Sequence, residues 1–153
     1  MNITIDKQIK NVTPQFEVGV FIADVKVYEN PQIEPLIVKF EMDFINQFNI
    51  EDVVQMDIIK DGRDAYKTYG KDPSRYRLAT ESLIRRIVKG NKLYRINNVV
   101  DLGNIVSLRT RKSVAVLDFH KIQGDVCIRL GNERDEYNGI GRGSINITNI
   151  PLY

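Results

Sequence analysis

The chain has 153 residues, of which 42% are hydrophobic and 27% charged, and it carries a formal net charge of +2. This length and composition are typical of one globular domain with a sizeable core. Its longest apolar runs are too short to span a membrane, and the N-terminus MNITIDKQIK lacks the features of a signal or transit peptide, so we expect a cytoplasmic location. With one cysteine, Cys127, and one histidine, His120, an internal disulfide is excluded and a typical zinc site lacks ligands, so we expect no metal or cofactor.

The first third of the chain predicts strands followed by a helix. Residues 3–6 alternate and predict a short strand, and residues 16–28 (FEVGVFIADVKVY) are rich in Val, Ile and Phe, which predicts a buried central strand. Asn30 and Pro31 end this strand, and Pro31 or Pro35 can occupy the first turn of the following helix. The core-facing side of that helix has apolar residues at helical spacing: Ile33, Leu36, Ile37, Phe40, Phe44 and Phe48.

Two further helices are predicted before residue 90. The first covers residues 52–69, with a break near Asp61 and Gly62 because glycine weakens a helix, and residues 70–77 (GKDPSRYR) form a loop. The second covers residues 80–89 and ends at Gly90. Its apolar face consists of Leu83, Ile84, Ile87 and Val88, and its polar face of Glu81, Ser82, Arg85, Arg86 and Lys89.

The next helix, residues 95–108 (RINNVVDLGNIVSL), is the candidate functional element. Asn97, Asp101 and Asn104 follow an i, i+4, i+7 spacing and therefore share one helix face within about 60°. One interpretation is a solvated helix face with an asparagine cap. The other is the wall of a pocket, because Val100 and Leu108 project on the same side. The opposite face carries Val99, Leu102, Ile105 and Val106.

The last third predicts β structure. Residues 114–119 and 125–130 predict a hairpin, and a final strand includes Ile145, Ile147 and Ile150. Between them lies NGIGRG, residues 138–143. A phosphate-binding glycine loop follows a strand and precedes a helix, whereas here a strand follows, so a tightly turned or mobile β connection is favoured.

The charge is unevenly distributed along the chain. Residues 75–112 contain ten basic and two acidic side chains, so this segment is basic within an otherwise acidic chain. Such a segment is a plausible footprint for RNA, and solvation of ordinary helix surfaces explains it equally well. The basic face is not interleaved with exposed aromatic residues as a stacking platform would be. The candidate RNA-binding residues are Arg85, Arg86, Lys89 and Lys92.

Several motifs resemble one family. The region that contains them resembles the tRNA-binding and editing module of the bacterial phenylalanyl-tRNA synthetase beta subunit, and in particular its freestanding relatives. The resemblance rests on Tyr76-Arg77, Glu81, Leu83, Arg85-Arg86, RINNVVDLGNIVSL and LDFHKIQGDVCIRL. The resemblance implies an α+β fold, a three-layer β/β/α sandwich. The length predicts one domain over residues 1–153, in which residues 1–69 form an N-terminal strand and helices and residues 70–153 resemble the editing module.

The resemblance also implies a function. In the synthetase this module hydrolyses tyrosine wrongly esterified to the phenylalanine tRNA, without a metal, so the implied partner is tRNA or aminoacyl-tRNA and not a membrane. The positions that match the family's site for the terminal adenosine and the aminoacyl group are Arg95, Asn97, Asn98, Asp101 and Asn104. Amides and a guanidinium can hold ribose hydroxyls, a carbonyl or a developing oxyanion.

The chain departs from the family pattern at several positions. Ala115 replaces the synthetase histidine three residues before Asp118, Leu78-Ala79 replaces Pro-Ser, and Gly103 replaces an aromatic residue. The chain also stops where the family continues into further strands, so we expect either a fragment or an incomplete site. Nothing resembles an aminoacylation core. Three functions stay open: an esterase acting in trans on mischarged tRNA, a non-catalytic RNA-binding module, and a small-molecule pocket.

Overall fold

The computed structural model describes residues 1–139 and 143–153, and this part of the chain is an α+β structure. Its helices are α1 (Lys7–Val12), α2 (Glu34–Gln47), α3 (Ile50–Val53), α4 (Asp57–Thr68), α5 (Ala79–Val88) and α6 (Asn98–Thr110), with short 3-10 turns at Pro31–Ile33 and Phe119–Lys121. Its strands are β1 (Ile3–Ile5), β2 (Val126–Leu130), β3 (Asn138–Gly139), β4 (Gly143–Ser144) and β5 (Pro151–Leu152). None of the helices in these ranges combines the length and the apolar character that crossing a bilayer demands.

The chain divides into two compact units. Unit 1 consists of Met1–Phe21, Ala65–Asp72 and Asp118–Tyr153, and unit 2 consists of Ile22–Asp64 and Pro73–Leu117. Unit 1 therefore contains the strands, and unit 2 contains α2, α3, α5 and α6 together with most of α4.

Unit 2 is built around a helical core. Helices α2, α5 and α6 pack on one another, and apolar spacing along each helix supplies the buried faces. The predicted stripe of α2 is confirmed at Ile33, Ile37 and Phe44, whereas Leu36 is exposed. The buried cluster comprises Ile33, Ile37, Phe44, Val53, Ile59, Ile84, Ile87, Leu93, Ile105 and Leu108.

Unit 1 is built around a small mixed sheet with the order β1-β2-β5. β1 runs parallel to β2 in a register that places Ile5 beside Ile128, and β5 runs antiparallel to β2. The carboxylate of Asp6 caps α1. The backbone N–H of Asp6 donates to Ile128 O at 2.8 Å, and this bond connects the start of α1 to the sheet. Ile9 of α1 is fully buried.

Two predicted strands are wrong. Residues 16–28 and 114–119 contain no strand, and many of their large apolar side chains are exposed. The backbone of residues 26 and 28 is hydrogen-bonded to Asn98, and the Val114 N–H donates to Ser107 Oγ at 3.1 Å. Since each segment contacts α6 instead of a neighbouring strand, the predicted 114–130 hairpin does not form and β2 pairs with β1.

The helical prediction for residues 52–69 is correct in type but wrong in the position of the break. The interruption lies at residues 54–56, between α3 and α4, and α4 runs through Asp61 and Gly62. A Cβ at Gly62 would meet the side chain of Leu78, so the missing side chain permits close packing there. Helix α3 starts at a capping box, in which Asn49 and Asp52 satisfy each other's backbone N–H groups.

At the C-terminus the predicted strand over residues 145–150 is replaced by β5 and a bridge between Thr148 and Gly131. A flanking Asn149 with φ +58° redirects the chain there. The two ends of the glycine-rich stretch belong to the antiparallel pair β3–β4, in which Asn138 lies opposite Ser144 and Gly139 opposite Gly143. Residues 140–142 of that stretch lie outside the described residues.

Candidate functional site

The polar stripe of α6 lies on the inward side of the helix. At 100° per residue, Asn97, Asp101 and Asn104 project close to Leu108, which is fully buried. On the opposite side Leu102 and Val106 are 44% and 48% exposed. The stripe therefore lies toward the buried side of α6, and its three side chains are partly buried.

Asn97 and Asp101 hold the start of α6. Asn97 is the N-cap, and its Oδ1 accepts the N–H groups of Val99 at 3.1 Å and Val100 at 3.0 Å. Asp101 Oδ1 accepts the Ile96 N–H at 3.0 Å, and its carboxylate lies in the first turn, where the helix dipole favours negative charge. Both side chains thus stabilise the helix start, as the cap interpretation of Asn97 expects.

Asn98 fastens an extended segment to the same helix end. Its side chain accepts the Tyr28 N–H at 3.0 Å and donates to Lys26 O at 2.9 Å, while its backbone N–H donates to Tyr28 O at 2.9 Å. One residue therefore makes three hydrogen bonds to the backbone of residues 26 and 28. We conclude that Asn98 has a positioning role in the fold of unit 2.

Arg95 is bound on all sides by acceptors of its own chain. Its guanidinium makes a bidentate pair with Glu34 at 2.7 and 2.9 Å, and it donates to Glu41 at 2.9 and 3.3 Å. Nη1 also donates to Leu93 O at 2.8 Å. These contacts occupy the five N–H donors of an arginine and join α2 to the segment before α6.

The charges of Arg95, Glu34 and Glu41 stabilise one another. The hydrogen bond from Arg95 holds the pKa of Glu34 below its usual value. For Glu41, burial raises the pKa, but hydrogen bonds from Arg95 and the Leu93 N–H outweigh burial and leave the pKa below its usual value. The two carboxylates in turn raise the pKa of Arg95, so all three groups are ionised at neutral pH.

Asn104 differs from the other members of the stripe. It is half-buried on the inward side of α6, and its amide makes no hydrogen bond to any described residue. Asp101 Oδ2 is likewise without a hydrogen-bond partner within residues 1–139 and 143–153. The hydrogen-bonding capacity left in the predicted site therefore lies on Asn104 and on one oxygen of Asp101.

One basic residue of α5 lies against an exposed aromatic ring. The Arg86 guanidinium lies 4.0 Å from the centre of the Tyr94 ring, and its Nε donates to Lys92 O at 2.6 Å. Tyr94 is 67% exposed, and Lys89 and Lys92 are exposed beside it in sequence. The sequence predicts a basic face that is not interleaved with exposed aromatic residues. The structure shows one exposed ring, Tyr94, beside Arg86, and its signal in the sequence is the tyrosine between Lys92 and Arg95.

The fourth basic candidate, Arg85, faces Glu81, which was predicted on the polar face of α5 but is fully buried. Glu81 Oε1 accepts from Arg63 Nη1 at 2.9 Å and lies 3.9 Å from Arg85 Nη1. The Arg63 side chain from α4 covers this carboxylate, which explains its burial. Glu81 Oε2 has no partner among the described residues.

A separate open concavity of about 490 Å³ lies in unit 1. Its lining is polar and includes Arg129, whose guanidinium pairs with Asp135 at 2.7 Å and lowers the pKa of that carboxyl to about 2. None of the predicted substrate-binding residues lines this concavity. Within the described part of the chain, no group of His, Cys, Asp and Glu side chains is arranged to hold a metal ion.

Comparison with family models gives a match over more than half of the chain. The model of the B3/4 domain family matches residues 61–150. This range contains α5, α6 and the candidate RNA-binding and substrate-binding residues. No curated protein sequence and no solved structure matches the chain.

Proposed function

Because this chain belongs to the B3/4 domain family, whose domain is found in the phenylalanyl-tRNA synthetase beta subunit, we propose that it is a module that binds tRNA or aminoacyl-tRNA. Its partner on this proposal is a nucleic acid and its location is cytoplasmic. The three-layer β/β/α sandwich and a single domain over residues 1–153 are part of the same proposal.

The observation that carries the proposal is the arrangement at the end of α5, which we call the basic platform: Arg86, Lys89, Lys92 and Tyr94. Arg86 covers one face of the Tyr94 ring, and the exposure of the ring leaves area on which an unpaired base can stack. The ammonium groups of Lys89 and Lys92 are exposed and form no ion pair within the described ranges, so they can contact phosphates.

The test measures tRNA binding at several salt concentrations. We expect affinity to fall as salt rises, because bound phosphates release counterions. The double change Lys89→Glu and Lys92→Glu should weaken binding by about tenfold or more and reduce the salt slope by about two, whereas Tyr94→Ala should weaken binding with little effect on that slope.

Lys39→Glu is the matched control, since Lys39 is an exposed lysine of α2 outside the platform. Binding that is independent of salt, or an equal loss with Lys39→Glu, would reject the platform as the RNA contact. Binding of a small molecule with no tRNA binding would favour the pocket interpretation.

Hydrolysis of mischarged tRNA is a second candidate function, favoured by the uncommitted amide of Asn104. On this proposal Arg95, Asn97, Asn98, Asp101 and Asn104 form the wall that receives the terminal adenosine and the aminoacyl ester. Asn104 and the free oxygen of Asp101 contact the substrate, while the other three residues position them through the contacts described above. A non-catalytic RNA-binding module does not need the unused hydrogen-bonding groups of Asn104 and Asp101.

Deacylation assays with a set of mischarged tRNAs separate these alternatives. If the site is catalytic, Asn104→Ala should lower the rate by about a hundredfold, as removal of one oxyanion donor does, with unchanged thermal stability. Asn97→Ala should instead reduce stability and activity together. Ester release no faster than in buffer, by a protein that still binds tRNA, would establish the non-catalytic module.

A further inference from the structure

Residues 22–28 (IADVKVY) present an unpaired, β-prone edge in unit 2. Ile22, Val25 and Val27 are each about 60% exposed. The backbone groups of residues 22–25 and 27 make no hydrogen bond to the described part of the chain. Exposed apolar side chains beside free backbone donors and acceptors are characteristic of a strand that adds to another strand.

Only one edge of this segment is covered. Asn98 makes its three hydrogen bonds to Lys26 O and to the N–H and C=O of Tyr28. In an extended chain, residues two apart direct their backbone groups to the same side. The backbone groups of residues 26 and 28 therefore face α6, and those of Ala23, Val25 and Val27 face away from it.

We propose that residues 22–28 of two copies of this chain pair as antiparallel strands about a two-fold axis at Val25. The free edge determines that the hydrogen-bonded pairs consist of odd-numbered residues. Val25 then exchanges both backbone hydrogen bonds with Val25 of the other copy, and Ala23 does so with Val27.

The charges of the segment select this register. With Val25 opposite Val25, Asp24 of each copy lies opposite Lys26 of the other copy. These are non-hydrogen-bonded positions, where Cα atoms approach to about 4.5 Å and side chains are closest. Two cross-strand ion pairs thus form on one face, and two Ala–Val pairs with the central Val–Val pair cover apolar surface on the other.

The neighbouring registers are less favourable. An axis at Ala23 places Asp24 opposite Ile22 and Lys26 opposite Val20, so that each charge faces an apolar side chain. An axis at Val27 places Lys26 opposite Tyr28 and Asp24 opposite Asn30. An axis at Asp24 or at Lys26 also leaves the odd-numbered residues hydrogen-bonded, but it places Asp24 opposite Asp24 or Lys26 opposite Lys26, so that like charges face each other. A second copy of the chain is therefore the complementary occupant.

The experiment measures the mass of the full chain over a range of concentrations by sedimentation. The wild type should approach a dimer as concentration rises. Asp24→Lys and Lys26→Asp should each weaken self-association by about tenfold or more, because each places like charges opposite one another twice. An equimolar mixture of the two variants should regain the dimer, since positions 24 and 26 are then both basic in one chain and both acidic in the other.

Glu17→Lys is the control, because Glu17 is exposed in the chain before the segment and has no opposite residue within it in this register. It should dimerise like the wild type. Circular dichroism of each variant verifies that the fold is retained. A wild type that stays monomeric at all concentrations, single variants that dimerise normally, or a mixture that remains monomeric would each overturn the proposal.

Discussion

Arg95 donates all of its N–H groups to Glu34, Glu41 and Leu93, and Glu41 is 5% exposed. Removal of the Arg95 guanidinium would leave the buried carboxylate of Glu41 without its cation. We expect Arg95→Ala to lower the free energy of unfolding by about 3 kcal/mol, as the loss of one partner of a buried ion pair does.

Urea denaturation measures this change, with Arg109→Ala as the control. Arg109 is exposed in the last turn of α6, so its substitution should change stability by less than about 0.5 kcal/mol. Equal effects of the two substitutions would mean that the Arg95 contacts contribute little.

Acid should weaken the same group. The pKa values of Glu34 and Glu41 are lowered from 4.5 by their hydrogen bonds, with Arg95 the main donor, so folding favours the ionised carboxylates. Their contribution to stability is complete above the unfolded pKa near 4.5 and is lost as pH falls through the lower folded values.

Urea midpoints measured from neutral pH downward should therefore fall below about pH 4.5, and less steeply in Glu41→Gln than in the wild type. If the urea midpoint falls equally with acid in both proteins, the loss of stability comes from carboxylates other than Glu41.

At the scale of the element, the N-cap of α6 is Asn97, which the sequence predicts both as a helix cap and as a site residue. Asn97 Oδ1 accepts two backbone N–H groups of the first turn. We expect Asn97→Ala to cost about 1 kcal/mol and Asn97→Ser to retain most of that stability, because serine also caps helices. Thermal melts of the two variants test this, and equal melting temperatures would exclude the capping role.

The helices of unit 2 could be predicted because their signals are local. Apolar spacing placed α2, α5 and α6, and Gly90, with φ +80°, ends α5 as expected of a C-terminal glycine. Strand predictions succeeded only for β1 and β2. Val-rich composition at residues 16–28 indicates a preference for extended backbone, but pairing depends on a partner strand that composition does not identify.

The candidate site was predictable as a set of positions but not as a set of contacts. Spacing placed Asn97, Asp101 and Asn104 on one face. It could not reveal that Arg95 binds two glutamates that are 61 and 54 residues away along the chain. Burial of Glu81 likewise depends on Arg63, 18 residues earlier and on another helix.

At the scale of the whole molecule, the two units differ in how much apolar surface they bury. The described buried apolar cluster belongs to unit 2, while Ile9, Tyr69 and Ile128 are the buried apolar residues of unit 1 in the same ranges. Local opening requires less free energy where fewer apolar contacts are lost.

We therefore expect amides in β1 and β2 to exchange with solvent faster than those in the middle of α2, α5 and α6. Native-state hydrogen exchange measures this difference. Equal protection in both sets would indicate that the molecule opens only as a whole.

Cys127 is exposed on β2 and is the only thiol in the sequence. A maleimide dye would therefore mark each polypeptide once, at a position outside both the basic platform and residues 22–28. Counting photobleaching steps in single particles would then report stoichiometry directly, with one step from an isolated chain and two from a paired one.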